Sequence, residues 1–308
     1  MPGWFAVLVT AHARQPLPTL TTFADTVTVA GAPRTMTVVA SAASATPRPI
    51  VLIFHGSGSS GKRFRRSAGA VFDRLVAELG GVGAYLDGFK AHWNDARVHQ
   101  NFAARRRGFD DVAFAEAAIG HLVQRHGGDP ARVYAAGYSN GGQLVLRLIH
   151  EAPHLITAAA VFSATQPTTE NFAPTRSVPG AVPIAFFHGV ADPIVPFNGG
   201  EACLRGTGLF SRGDGLSAPA TAAFYAERNG IAQPPTAMRT PAGHGGGFVE
   251  RTDYRQPGRA AVSLYAIHGG GHTVPGARRA LSIMGRVYRD LDTASELRGF
   301  FESATVQG

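Results

Sequence analysis

Cysteine is almost missing from this chain: Cys203 stands alone among 308 residues. That excludes an internal disulfide and any metal centre built on several thiolates. Charge is sparse too, at 16%, against 44% hydrophobic residues. Such a balance supplies a large core and is too apolar for a disordered polymer. No apolar run reaches the length that spans a bilayer, so no membrane span is expected. The 12 histidines show no ligand spacing such as H-E-x-x-H, so neither a catalytic metal nor a cofactor is expected. Acidic residues are the scarcer sign, 21 against 29 Lys and Arg, for a net charge of +8. The arginines are mostly scattered, with short clusters at Arg63 to Arg66 and Arg105 to Arg107. With no nucleic-acid motif beside them, these clusters read as solvated faces and no nucleic-acid partner is expected; attraction to acidic polymers is the alternative.

Glycine is plentiful, at 38 residues, and one glycine-bounded turn organises the rest. Arg132 to Ala136 reads as a buried strand, Gly137-Tyr138-Ser139-Asn140-Gly141 as a tight turn, and the following residues to about His150 as a helix. A G-x-S-x-G turn between strand and helix is a nucleophile elbow: the serine hydroxyl is held clear of the sheet, and the free N–H groups of the helix point at the same spot.

Upstream, Trp4 to Thr10 and Ala11-His12-Ala13 give residues 1–20 the look of a leader or degenerate signal-like segment, although no Lys or Arg precedes the apolar run. Residues 21–308 read as a single domain. Thr21 to Val29 and Thr35 to Ala40 alternate around Gly31-Ala32-Pro33 as a hairpin. Ile50 to Phe54 is a continuous apolar strand that runs into His55-Gly56-Ser57-Gly58, a loop able to turn backbone N–H groups toward one point. Helices are expected over Phe72 to Leu79, Val112 to Gln124 and Pro219 to Asn229, strands over Gly83 to Leu86, Ile156 to Phe162 and Ile184 to Phe187, and a hairpin over Phe248 to Tyr254 and Ala260 to Ile267. Thr293 and Glu296 suggest a capping box for a terminal helix. The Ser163 to Pro183 connection carries no helical period, so no helical lid is expected.

Ser139, then Asp192 after the Ile184 strand, then His272 after the last strand follow the chain order of an α/β-hydrolase triad. Ser139 would be the nucleophile, His272 the general base and acid, and Asp192 the group that fixes the imidazole. The N–H groups of Ser57 and Asn140 would form the oxyanion hole. Asp214 and Asp253 are rival carboxylates, and His268 and His244 rival bases; His55 suits bracing the oxyanion loop. Trp93 and its neighbouring aromatics offer a substrate-binding surface, or else ordinary core packing.

The chain resembles the polyhydroxybutyrate depolymerase and feruloyl esterase group of the α/β-hydrolases. The matching segments are HGSG (His55 to Gly58), YLDG with WNDAR (Tyr85 to Arg97), DDVAF (Asp110 to Phe114), DPARVYAAGYSNGG (Asp129 to Gly142), HGVADPIVPF (His188 to Phe197), GGGHTVPG (Gly269 to Gly276) and the terminal TASELRGFF. The resemblance implies an α/β fold with a mostly parallel central sheet and helices on both faces. It also implies a serine carboxylic-ester hydrolase acting on a polyester or a plant cell-wall polysaccharide ester, and hence a secreted or periplasmic protein. Leu86 and Val274 depart from the group, which usually has proline and tryptophan there; the second change bears on the pocket. A serine peptidase on the same scaffold and a non-catalytic binding module are the competing readings.

Overall fold

The computed structural model describes residues 19–42, 47–173, 177–204, 207, 211–241 and 246–305. The leader expected over residues 1–20 lies outside them except for its last two residues, and so does His244.

The first described elements are an antiparallel pair, β1 (Leu20–Val29) and β2 (Ala32–Ser41). Ala30 and Gly31 close it with positive φ angles of 47° and 78°. Both residues of a hairpin turn adopt that sign when the turn follows the right-handed twist of its strands. The reversal therefore falls just ahead of the Gly31-Ala32-Pro33 expected, and Pro33 pairs with Thr28 inside the ladder. There follow β3 (Arg48–Phe54), α1 (Gly61–Glu78), β4 (Val82–Leu86), α2 (Ala103–Arg106), α3 (Asp111–His126), β5 (Gly128–Tyr138), α4 (Asn140–Glu151), β6 (Ala158–Phe162) and β7 (Ile184–Gly189). A small pair, β8 (Gly200–Glu201) and β9 (Asp214–Gly215), precedes α5 (Ala218–Arg228), β10 (Thr236–Arg239), β11 (Phe248–Tyr254), β12 (Val262–His268) and α6 (Thr293–Thr305).

Ten strands make one sheet in the order β1-β2-β4-β3-β5-β6-β7-β12-β11-β10. The stretch from β4 to β12 is parallel, and the outer strands on both sides are antiparallel. Parallel strands covered on both faces need apolar side chains throughout, and Ile50 to Phe54 of β3 are all fully buried. Ile50, Leu52 and Phe54 pack with residues of α3, α4 and α5; Val51 and Ile53 pack with α1 and α6 on the other face. Each such side chain contributes about 1.5–3 kcal/mol. This is the α/β-hydrolase arrangement. No helix among the described residues is long and apolar enough to cross a membrane.

Two local expectations need correction, and one strand goes beyond them. Helix α1 begins at Gly61, well ahead of Phe72: Ser60 Oγ caps it by accepting the Arg63 N–H, and Phe64, Ala68 and Val71 extend the buried stripe between basic residues. The N-cap of α6 is Asp292, whose carboxylate accepts the Ser295 N–H, in place of a Thr293–Glu296 box. Thr293 instead donates to the Pro275 carbonyl, and Glu296 accepts from the Tyr265 hydroxyl. Strand β10 has no counterpart in the sequence reading. Between β6 and β7 the described residues hold one 3-10 turn, Thr169–Asn171, and no α-helix.

Candidate active site

Between the last residue of β5 and the first of α4, Ser139 adopts φ 55° and ψ −116°. A non-glycine residue in such a conformation costs on the order of 1–3 kcal/mol and persists only where its surroundings enforce it. The Ser139 N–H donates to Phe162 O at 2.9 Å, and its carbonyl accepts the Gln143 N–H at 2.9 Å. The flanking glycines are demanded by close approach. A Cβ on Gly137 would lie 2.2 Å from Gly141 O, and one on Gly141 would lie 2.2 Å from Phe54 O.

The loop beyond β12 brings His272 to this serine. Its Nε2 is 2.9 Å from Ser139 Oγ, and its Nδ1 is 2.7 Å from Asp192 Oδ2. The His272 N–H donates to Met284 O at 2.7 Å, which ties the loop to the chain segment beyond it. Asp192 follows β7 in a turn whose Ile194 and Val195 N–H groups both donate to its Oδ1 at 2.8 Å. Burial alone would raise the Asp192 pKa, but His272, His188 and the Ile194 N–H outweigh it and hold the carboxyl below the usual range. An ionised Asp192 takes the Nδ1–H of His272 and leaves the Nε2 lone pair facing the serine hydroxyl. That tautomer is the one able to accept the serine proton.

His188, which the sequence reading passed over, completes the acid's surroundings. It donates from Nε2 to Val195 O at 2.9 Å and lies 3.6 Å from Asp192 Oδ2. Its burial lowers its pKa. The rival groups sit elsewhere. Asp253 is engaged by Arg251 and Ser263. Asp214 lies in the β8–β9 pair, exposed. His268 is 2.6 Å from Glu250 and stacked on Phe248.

The loop after β3 lies against the serine. A Cβ on Gly56 would meet the Tyr138 ring at 2.8 Å and Ser139 Cβ at 3.4 Å, so Ser57 follows immediately beside Ser139. Asn140 heads α4, where the first N–H has no carbonyl partner within the helix. His55 holds the loop from below: the Gly88 N–H donates to its Nε2 at 3.0 Å, so its Nδ1 carries the proton that Gly56 O receives at 2.7 Å. Burial pushes this imidazole down to about 4, and the ring is neutral. Beside the loop opens a cleft of about 310 Å³ walled mostly by apolar side chains, among them Phe64, Tyr138, Val274, Ala277 and Met284.

Trp93 is not a wall of that cleft. It is fully buried, and its substrate-binding role is corrected to an internal one. The indole N–H donates to His55 O, and the Trp93 main-chain N–H donates to Asn140 Oδ1 at 2.9 Å. Asn140 Nδ2 donates to Asp95 Oδ2 at 2.6 Å, and Asp95 is paired with Arg97. A buried network thus locks the residue after Ser139. Tyr138 was also missed: its hydroxyl donates to His272 O at 2.7 Å. Its position inside the elbow motif was the available signal.

A family profile described as phospholipase/carboxylesterase matches residues 88–205. The chain is 32% identical over 294 residues to the putative esterase NocK of Nocardia uniformis subsp. tsuyamanensis, covering 91% of this chain and 83% of that protein. In fold it is similar to the acetyl xylan esterase from Aspergillus awamori, with a TM-score of 0.55 at 15% identity over 87% of this chain and 94% of that one. It is likewise similar to the Bacillus cereus carboxylesterase, with a TM-score of 0.50 at 12% identity over 88% and 94%.

Proposed function

The chain belongs to the phospholipase/carboxylesterase family, and we propose that it is a serine carboxylic-ester hydrolase working through an acyl-enzyme on Ser139. The observation that carries this reading is the unbroken hydrogen-bonded line from Ser139 Oγ through His272 to Asp192. Ser139 Oγ attacks the ester carbonyl while His272 Nε2 takes its proton. The C–O bond to the alcohol breaks, and the same proton goes to the departing oxygen. Water then attacks the acyl carbon, gives a proton to His272, and the acid leaves as that proton returns to Ser139. The N–H groups of Ser57 and Asn140 receive the oxyanion of each tetrahedral intermediate, each donor being worth about 2.7–4 kcal/mol of barrier.

The substrate class follows the resemblance to the depolymerase and feruloyl or acetyl esterase group. The small apolar cleft suits a short or aromatic acyl group. Val274, where that group carries tryptophan, leaves more room in this cleft. A polymeric substrate places the enzyme outside the cytoplasm. The test is stoichiometric labelling by a fluorophosphonate together with turnover of short aryl esters and the matching anilides. Labelling and ester turnover are expected, both lost in Ser139→Ala. Full ester turnover by Ser139→Ala would sink the reading, and faster anilide than ester cleavage would make the protein a peptidase.

A further inference from the structure

Seven of the 29 Lys and Arg residues line one groove beside the candidate active site. A groove of about 1460 Å³ runs between the β1–β2 edge and the outer face of α1. Lys62, Arg63, Arg65 and Arg66 of α1 form one wall, and Arg278, Arg279 and Arg289 stand across from them. The single carboxylate in the lining, Asp73, is occupied by Arg65 at 2.9 Å and by the Tyr85 hydroxyl at 2.6 Å. Among the described residues, no carboxylate pairs with the other six cations.

The placement works against local electrostatics. Lys62, Arg63, Arg65 and Arg66 occupy the first two turns of α1, which has no acidic residue in its first turn. A helix N-terminus favours negative charge, and cations there are correspondingly unfavourable. Solubility requires charge, but not its concentration where both the helix and the neighbouring arginines oppose it. A bound anion would relieve both terms.

Arg279 and Ser67 line this groove and also the cleft beside Ser139, so the two form one continuous surface. The hydroxyls of Thr22, Thr37 and Ser67 share the groove, and Phe23 is its one aromatic ring. Single-stranded nucleic acid is usually gripped by successive aromatic platforms, and the lining offers no such series. Repeated anionic groups among hydroxyls suit an acidic carbohydrate. We infer that this groove is a subsite for an acidic polysaccharide, holding the polymer by its carboxylates while an O-acyl ester on the same chain reaches Ser139. The inference rests on the hydrolase reading for the reaction and on the groove alone for binding.

Binding is therefore measured without chemistry, on the Ser139→Ala protein, by affinity electrophoresis in O-acetylated polygalacturonate or in acetylated glucomannan as the neutral counterpart. The acidic polymer is expected to retard the protein at about 20 mM salt, with affinity falling about tenfold or more by 300 mM as counterion release predicts. Arg66→Glu with Arg278→Glu, both exposed positions, is expected to abolish the retardation. With Ser139 intact, the same pair should raise KM for the acidic polymer about tenfold, leaving kcat and p-nitrophenyl acetate turnover unchanged. Equal retardation by neutral and acidic polymers, an unaltered KM in the double variant, or tighter binding of single-stranded DNA than of the acidic polymer would overturn the inference. Failure of the hydrolase reading would show separately, as acetate release that survives Ser139→Ala.

Discussion

The indole N–H of Trp93 donates to the main-chain carbonyl of His55 at 2.8 Å. One fully buried side chain thereby fixes the loop that carries Ser57, while its backbone fixes the side chain of Asn140. Both groups assigned to the oxyanion hole depend on the same residue, although it touches no surface of the cleft.

Trp93→Phe tests that coupling because it keeps a ring and removes the donor. It strands a buried carbonyl, at a cost of about 1–3 kcal/mol. The expected result is a lower thermal midpoint and a kcat reduced by a similar factor for every ester, with KM little changed. A loss confined to bulky or aromatic esters would instead place Trp93 against substrate.

Gly56→Ala addresses the loop from the other side. The added methyl meets the Tyr138 ring at 2.8 Å, so ring or loop must shift. Displacing one oxyanion donor lowers kcat by about 10²–10³-fold. Steady-state kinetics should show that loss with an unaltered far-ultraviolet dichroism spectrum, and fluorophosphonate labelling should slow in parallel.

Acid should weaken the protein through His55. Its folded pKa is depressed from 6.5 to about 4 by burial, with the Gly56 carbonyl and Asp87 pulling upward by less. Between those values the unfolded chain binds a proton that the folded chain refuses, so stability rises with pH across the window and is fully present above about 6.5. At pH 5 the loss from this residue is about 2 kcal/mol, since each unit is worth about 1.36 kcal/mol. Urea unfolding at pH 7.5 and pH 5 measures it, and His55→Gln should shrink the difference by that amount.

The elbow is legible in five letters because Gly137 and Gly141 answer to contacts that no other residue could make. Asp192 and His272 are legible because chain order and strand ends restrict where such groups fall. Trp93 is not: a sequence gives a ring but not its burial, and only the fold shows that the site's loops close over it. Strand β10 escapes because its four residues are all exposed, so pairing with β11 decides it and no apolar alternation announces it. The basic groove escapes for a different reason. Arg63 to Arg66 read as a solvated cluster, and Arg278, Arg279 and Arg289 as scattered arginines, until α1 and the segment after His272 face each other.

Tyr138 carries the least obvious prediction. It precedes Ser139 in the chain, yet its hydroxyl is spent on the carbonyl of His272, at 2.7 Å. Burial raises its pKa, with the Asp192 charge adding to the effect, so it remains a neutral donor at any working pH. The ring is stacked on Phe64, 5.7 Å between centroids, and walls the cleft. Tyr138→Phe therefore keeps the wall and the stacking but cuts one link between the serine's strand and the histidine's loop. Without it His272 keeps its bond to Asp192 but its backbone gains freedom, and proton transfer to Nε2 depends on distance. The expected outcome is about 1 kcal/mol of lost stability, a kcat lowered several-fold and a nearly constant KM. The signature of a positioning effect is that reducing the demand for proton transfer rescues the rate. Esters with good leaving groups such as p-nitrophenol should lose less than alkyl esters, and equal losses on both would assign Tyr138 to packing alone.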